Sequence, residues 1–144
     1  MTHIAGKEGT ADRVVVMEEH LYAKSAVYPT LAAGVTVTGH NDAWTLGTLV
    51  EIVPASTITE DFDVHWISIE NISANGIYEL VLYCGAGDTE CGRVRFVQNA
   101  VQDSVVAVPF MTPILEKNSR IRSAVASSTG GGDTADISIF YHTY

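Results

Sequence analysis

Between Val64 and Gln98 the side chains change sides with a period of two, and this alternation constrains the fold more than any other feature of the chain. Ile67 and Ile69 alternate with Ser68 and Glu70. Tyr78, Leu80, Leu82 and Cys84 share one face, with Glu79, Val81 and Tyr83 on the other; Val94 and Phe96 then oppose Arg93, Arg95 and Val97. Successive residues of a strand point to opposite faces of a sheet, so each run predicts a strand with one side against a core. Ser73-Ala74-Asn75-Gly76 predicts a tight hairpin, because Asn-Gly tolerates the positive φ of two-residue turns. The expectation is a three-stranded meander.

The same period recurs elsewhere. Val35–Thr38 and Leu46–Val53 read as strands, the second ended by Pro54, which cannot donate to a ladder. Val106, Val108 and Phe110 form another alternating set, followed by Ile121, Ser123 and Val125, and then by Ile137, Ile139 and Tyr141. Ser127 to Asp133, with three consecutive glycines, reads as a flexible hairpin loop. Arg13 to Met17 is a β-branched run read as a strand, although Met17 to Ala23 also suits a helical turn. Residues 1–12 are small and polar and read as a flexible N-terminal arm. About eight strands and no amphipathic helix longer than two turns predict an all-β fold. The expected architecture is an antiparallel β-sandwich, jelly-roll-like, forming a single domain over 13–144.

A chain of 144 residues with 47% apolar and 17% charged residues can bury a core and is not of the disordered class. A net charge of −9 disfavours nucleic acid and anionic membrane surfaces, which need clustered Lys and Arg. No run approaches a membrane span, and Met1-Thr2-His3-Ile4 does not resemble a signal peptide, so synthesis in a cytoplasm is expected. The charge is polarised. Ser25 to Gly92 contains nine acids and no Lys or Arg, whereas the part from Arg93 onwards carries five basic residues against four acids. Such polarity suits either contact between neighbouring copies or ordinary solvated faces.

Candidate chemistry is sparse. Cys84 and Cys91 bracket a short loop and could face each other as a disulfide, while a reducing cytoplasm favours two thiols. No CxxC or HxxxH spacing supplies a zinc site, and Asp88 and Glu90 near Gly85 and Gly87 are too few oxygens for calcium, so no metal or cofactor is assigned. His40 and His65 lack a strained Gly-x-Ser-x-Gly nucleophile turn, and Glu60, Asp61 and Asp63 read as turn acids; no catalytic residue is assigned and no enzyme is expected. Arg93 with Arg95 and Arg120 with Arg122 form two outward i, i+2 pairs. They serve either strand solubility or docking onto a carboxylate-rich partner. The strand aromatics, Trp66 among them, read as core; aromatics exposed in a groove would indicate a carbohydrate-binding jelly-roll module, with Trp44 and Trp66 the residues to test.

Several ordered phrases carry a resemblance: Tyr28-Pro29, Ala32-Ala33-Gly34-Val35, Trp44-Thr45-Leu46-Gly47, Ile67-Ser68-Ile69-Glu70, Tyr78-Glu79-Leu80-Val81-Leu82-Tyr83, Val108-Pro109-Phe110, Asn118-Ser119-Arg120-Ile121 and Tyr141-His142-Thr143-Tyr144. Together they look like the small all-β virion proteins of tailed phages, in particular jelly-roll-like capsid decoration or cement proteins. The resemblance implies a structural virion protein, made in the host cytoplasm. It would bind the major capsid protein on the outer face of a head and form a homo-oligomer, a trimer foremost, with no enzymatic activity. A tail, head-tail adaptor or baseplate component is the alternative within the virion.

Overall fold

In the computed structural model, which describes residues 24–99 and 106–144, the alternating segments become strands that all pair antiparallel. They are β1 (Lys24–Tyr28), β2 (Val35–Thr38), β3 (Val50–Val53), β4 (Phe62–Glu70), β5 (Gly76–Cys84), β6 (Thr89–Gln98), β7 (Val106–Pro109), β8 (Ile121–Ser127) and β9 (Thr134–Thr143). One sheet has the order β1-β9-β4-β7, with β2 joining β9 on the edge it shares with β1; the other has the order β3-β8-β5-β6. The expected 1–12 arm and Arg13–Met17 strand lie outside the described residues.

The pairings β2·β9, β3·β8, β4·β7 and β5·β6 are those of one long hairpin, and the pairings β4·β9 and β5·β8 roll that hairpin into two layers. This is jelly-roll order, and the predicted fold class stands. The tip of the rolled hairpin is the β5–β6 turn, which the Cys84–Cys91 disulfide closes with a Cα separation of 5.9 Å. The expectation of two thiols is therefore corrected.

Two local expectations are also corrected by the roll. The strands either side of Asn75-Gly76 do not form a hairpin, because β4 lies in one sheet and β5 in the other. Asn71 turns the chain at φ 48°, and residues 71–75 cross between layers about 10 Å apart, anchored where Ser73 N donates to Thr134 O and Thr134 N donates to Ser73 Oγ. The only hairpin of the expected meander is β5–β6. The glycine loop after Ser127 likewise crosses between sheets and is tied down. Asp133 accepts from the Ser127 and Thr129 hydroxyls, Gly131 N donates to Asn41 O, and Gly130, at φ 70°, lies so close to Asn41–Ala43 that a Cβ would overlap their backbone. The strand β1 is an addition to the sequence reading.

The inward positions fill one core. Phe62, Val64, Ile67, Ile69, Ile137 and Ile139 from one sheet meet Tyr78, Leu80, Leu82, Ile121 and Val125 from the other, all fully buried. Tyr78 and Phe96 stack with centroids 5.1 Å apart, and the Tyr78 hydroxyl donates to Ala74 O at 2.6 Å. Burial, with the charge of Asp133 adding to it, pushes that phenol above its usual value.

Candidate functional site

The alternation of β4 has one fault, and it produces the most distinctive surface of the molecule. Phe62 and Val64 point inward, and a strict period of two would bury Trp66 next. The register instead slips between Val64 and Trp66 against β9, leaving His65 as the additional residue of a β-bulge. A bulge re-aims side chains and shifts the phase of the strand beyond it. Ile67 and Ile69 therefore return to the core, while Asp63, His65 and Trp66 all emerge on the outer face. Trp66 is 47% exposed, so the expectation that it is a core residue is corrected.

Directly opposed residues of neighbouring strands share a face, so the register extends Trp66 into a row. Val27 of β1 faces Phe140 of β9, Phe140 faces Trp66, and Trp66 faces Pro109 of β7. Three inter-strand spacings make the row roughly 14 Å long. The Pro29–Gly34 loop flanks one side, where Ser138 Oγ donates to Thr30 O. On the other side stand Asp63, His65 and His142. His65 Nε2 lies 2.9 Å from Asp63 Oδ1, the two imidazole rings have centroids 4.0 Å apart, and the Tyr144 hydroxyl donates to Asp63 Oδ2 at 3.0 Å. Sequence reading missed this group because His142 returns on the last strand from the far end of the chain; only the Asp63-x-His65 spacing, two residues along one strand face, signalled part of it.

The other sheet presents a different outer surface. Arg93 pairs with Glu79 and Glu90, and Arg95 with Glu79; Asp88 accepts from both Arg120 and Arg122, the shortest contact being 2.6 Å to Arg122. Arg120 also donates to Gly85 O and Ala86 O, so the two C-terminal arginines clamp the disulfide-closed tip. The acidic middle and basic end of the sequence thus meet within one chain, and Asp88 and Glu90 are counter-ions of these arginines. The hydrogen bond from Arg95, with Arg93 adding to it, holds the Glu79 carboxyl below its ordinary range, and Arg93 does the same for Glu90. Arg95 lies 4.8 Å from the ring centre of Trp44, so the two tryptophans stand on opposite faces of the sandwich.

The other sequence candidates stay apart. His40 Nδ1 accepts from the backbone N of Asp42 in an exposed loop. Asp61 accepts from Lys117 N, whereas Asp63 faces the histidines. A shallow groove of about 400 Å³ between Ala55, Gly85–Ala86 and Glu116–Arg120 is lined by a single carboxylate, that of Glu116, and so contains no carboxylate pair. Among the described residues, no helix is long and apolar enough to cross a membrane.

No protein-family model matches the sequence, and no curated protein matches it. Among solved structures, the chain is similar to the CBM36-1 domain of a multidomain xylanase from the hindgut metagenome of Trinervitermes trinervoides, with 14% identity over 85% of this chain and 86% of that one, at a TM-score of 0.42. An arabinose-bound MgGH51 α-L-arabinofuranosidase aligns with 10% identity over 85% of this chain and 22% of the enzyme, also at 0.42. Likeness at this level carries nothing about what this chain binds.

Proposed function

We propose that this chain is a non-catalytic carbohydrate-binding jelly-roll module whose binding face is the outer surface of the five-stranded sheet. The observation that carries the reading is the solvent-facing row of Val27, Phe140, Trp66 and Pro109, centred on a tryptophan that a bulge turns out of the core. An exposed indole face is a platform for the C–H face of a sugar ring, because it removes apolar surface from water while leaving the hydroxyls solvated. Polar groups flank the row on both sides, the Pro29–Gly34 loop on one and the Asp63, His65 and His142 group on the other. The Cys84–Cys91 disulfide suits a protein that works in an oxidising setting outside the reducing cytoplasm.

A glycan array probed with the wild type, Trp66→Ala and Trp44→Ala tests this directly. The reading predicts that Trp66→Ala loses the wild-type signals and Trp44→Ala keeps them. An array blank for the folded wild type would refute it.

The capsid decoration reading is the second proposal, and one observation favours it: among the described residues β6, ten residues long, is the outermost strand of its sheet and carries Val97 at 48% exposure. Sheet edges of that length are managed in many proteins by association. Light scattering of the purified chain, alone and with empty phage heads, separates the two, since the decoration reading requires an oligomer or a stable complex with the shell. The two readings are compatible, as a virion-borne module with a sugar-binding face would attach the particle to cell-surface glycans.

A further inference from the structure

We infer that Asp63, His65 and His142 form a binding site for a divalent transition-metal ion, zinc(II) foremost, on the outer face of the β4–β9 pair. The inference stands independently of the glycan reading. Three observations carry it. One potential ligand atom from each of the three side chains lies within 4.8 Å of the others, and all three residues are half-buried. Around a tetrahedral zinc with bonds of about 2.0–2.2 Å to nitrogen and oxygen, ligand atoms stand roughly 3.3 Å apart, so rotamer adjustment suffices to close the set. The donors are also of the right chemistry, since two imidazoles and a carboxylate suit zinc better than magnesium or calcium, which take all-oxygen sites.

The second observation is how the group is built. Asp63 and His142 are register partners on adjacent strands, and His65, two residues beyond Asp63 on the same strand, presents a third ligand on the same face. Three lone-pair donors converge from two rigid strands, which fixes their directions better than loop residues could. The carboxylate stands beside two imidazoles whose rings are tilted by 36° with centroids 4.0 Å apart.

The third observation is the shell around it. The Tyr144 hydroxyl donates to Asp63 Oδ2 at 3.0 Å while Oδ1 faces His65, an outer-sphere hydrogen bond of the kind that orients metal-bound carboxylates. Three protein ligands leave a coordination position for water or a ligand oxygen. Bound metal would also tie the C-terminal strand to β4 at the end of the sheet where the chain finishes.

The test uses the intact chain, freed of metal with a chelator. Isothermal titration with zinc chloride, and cobalt(II) absorption as a second probe, should give one equivalent bound and a melting temperature raised by several degrees, reversed by chelator. His142→Gln and, separately, Asp63→Asn should each lower the affinity at least tenfold, and Tyr144→Phe roughly tenfold. The inference is overturned if zinc neither binds nor shifts the melting temperature of the wild type. It is equally overturned if the folded His142→Gln or Asp63→Asn chain binds as the wild type does, which would place the metal elsewhere. Should both variants fail to fold, the cobalt spectrum of the wild type decides: a four-coordinate nitrogen and oxygen spectrum supports the site, and an octahedral aquo spectrum removes it.

Discussion

Reduction of the Cys84–Cys91 disulfide should lower the melting temperature by roughly 8 °C. The bond closes the tip of the rolled hairpin across a sequence separation of 7. Constraining a loop of that length in the unfolded chain is worth about 2.4 kcal/mol near room temperature on the chain-entropy account. Unfolding entropy scales with length at about 2.1 cal/mol/K per residue, or roughly 0.3 kcal/mol/K for 144 residues, and the quotient gives the expected shift. The tip is also held by Arg120 and Arg122 through Asp88, Gly85 and Ala86, so it stays folded when reduced and the effect is one of stability rather than topology. Calorimetric scans with and without reductant, with the Cys84→Ala/Cys91→Ala double variant as a control that reductant does not change, provide the measurement. A shift under about 2 °C on reduction, or two titratable thiols in protein prepared under oxidising conditions, would refute the reasoning.

Other consequences follow from particular contacts. Gly92 faces the core opposite Leu82, and a Cβ there would overlap the Phe110 ring, so Gly92→Ala should cost about 1–3 kcal/mol in denaturant unfolding, with part recovered in the Gly92→Ala/Phe110→Leu double variant. Asp88→Asn removes the shared counter-ion of Arg120 and Arg122; because all three groups keep partial contact with water, the expected loss is about 1 kcal/mol, shrinking as salt is added. Glu79, held below its usual range in the folded state, contributes stability that is present above its unfolded value of about 4.3 and lost as pH falls through its folded value. The melting temperature should therefore drop on acidification below about pH 4.3, less steeply in Glu79→Gln.

Where the hydrophobic period was regular, sequence alone placed the strands well. Tyr78, Leu80 and Leu82 are inward, Arg93 and Arg95 outward, and β5, β6, β8 and β9 fall where alternation predicts them. What alternation cannot convey is which sheet a strand joins. Strands β4 and β5 are consecutive, similar in pattern and joined through Asn-Gly, yet the roll pairs β4 with β7 and β9 and pairs β5 with β6 and β8. Partner choice depends on long-range burial, so local turn chemistry was overridden. The candidate site was hidden for a related reason. The bulge at His65 breaks the period by one residue, and in the sequence that fault looks like a continuous core strand containing Trp66. The arginine pairs face outward as alternation predicts, but apart from Glu90, three residues before Arg93 on β6, the acids that meet them come from β5 and the β5–β6 turn, so most of the pairing within the chain is not visible in their spacing.

The chain contains two tryptophans, Trp44 and Trp66, on opposite faces, and their indole N–H groups give two separable signals in a nitrogen–proton correlation spectrum. Titration with an oligosaccharide selected from the array is the most direct measurement of the central claim. Binding on the five-stranded face predicts that the Trp66 indole signal moves progressively to saturation while that of Trp44 stays in place. A saturating titration in which Trp66 does not move, or in which only Trp44 moves, would contradict it.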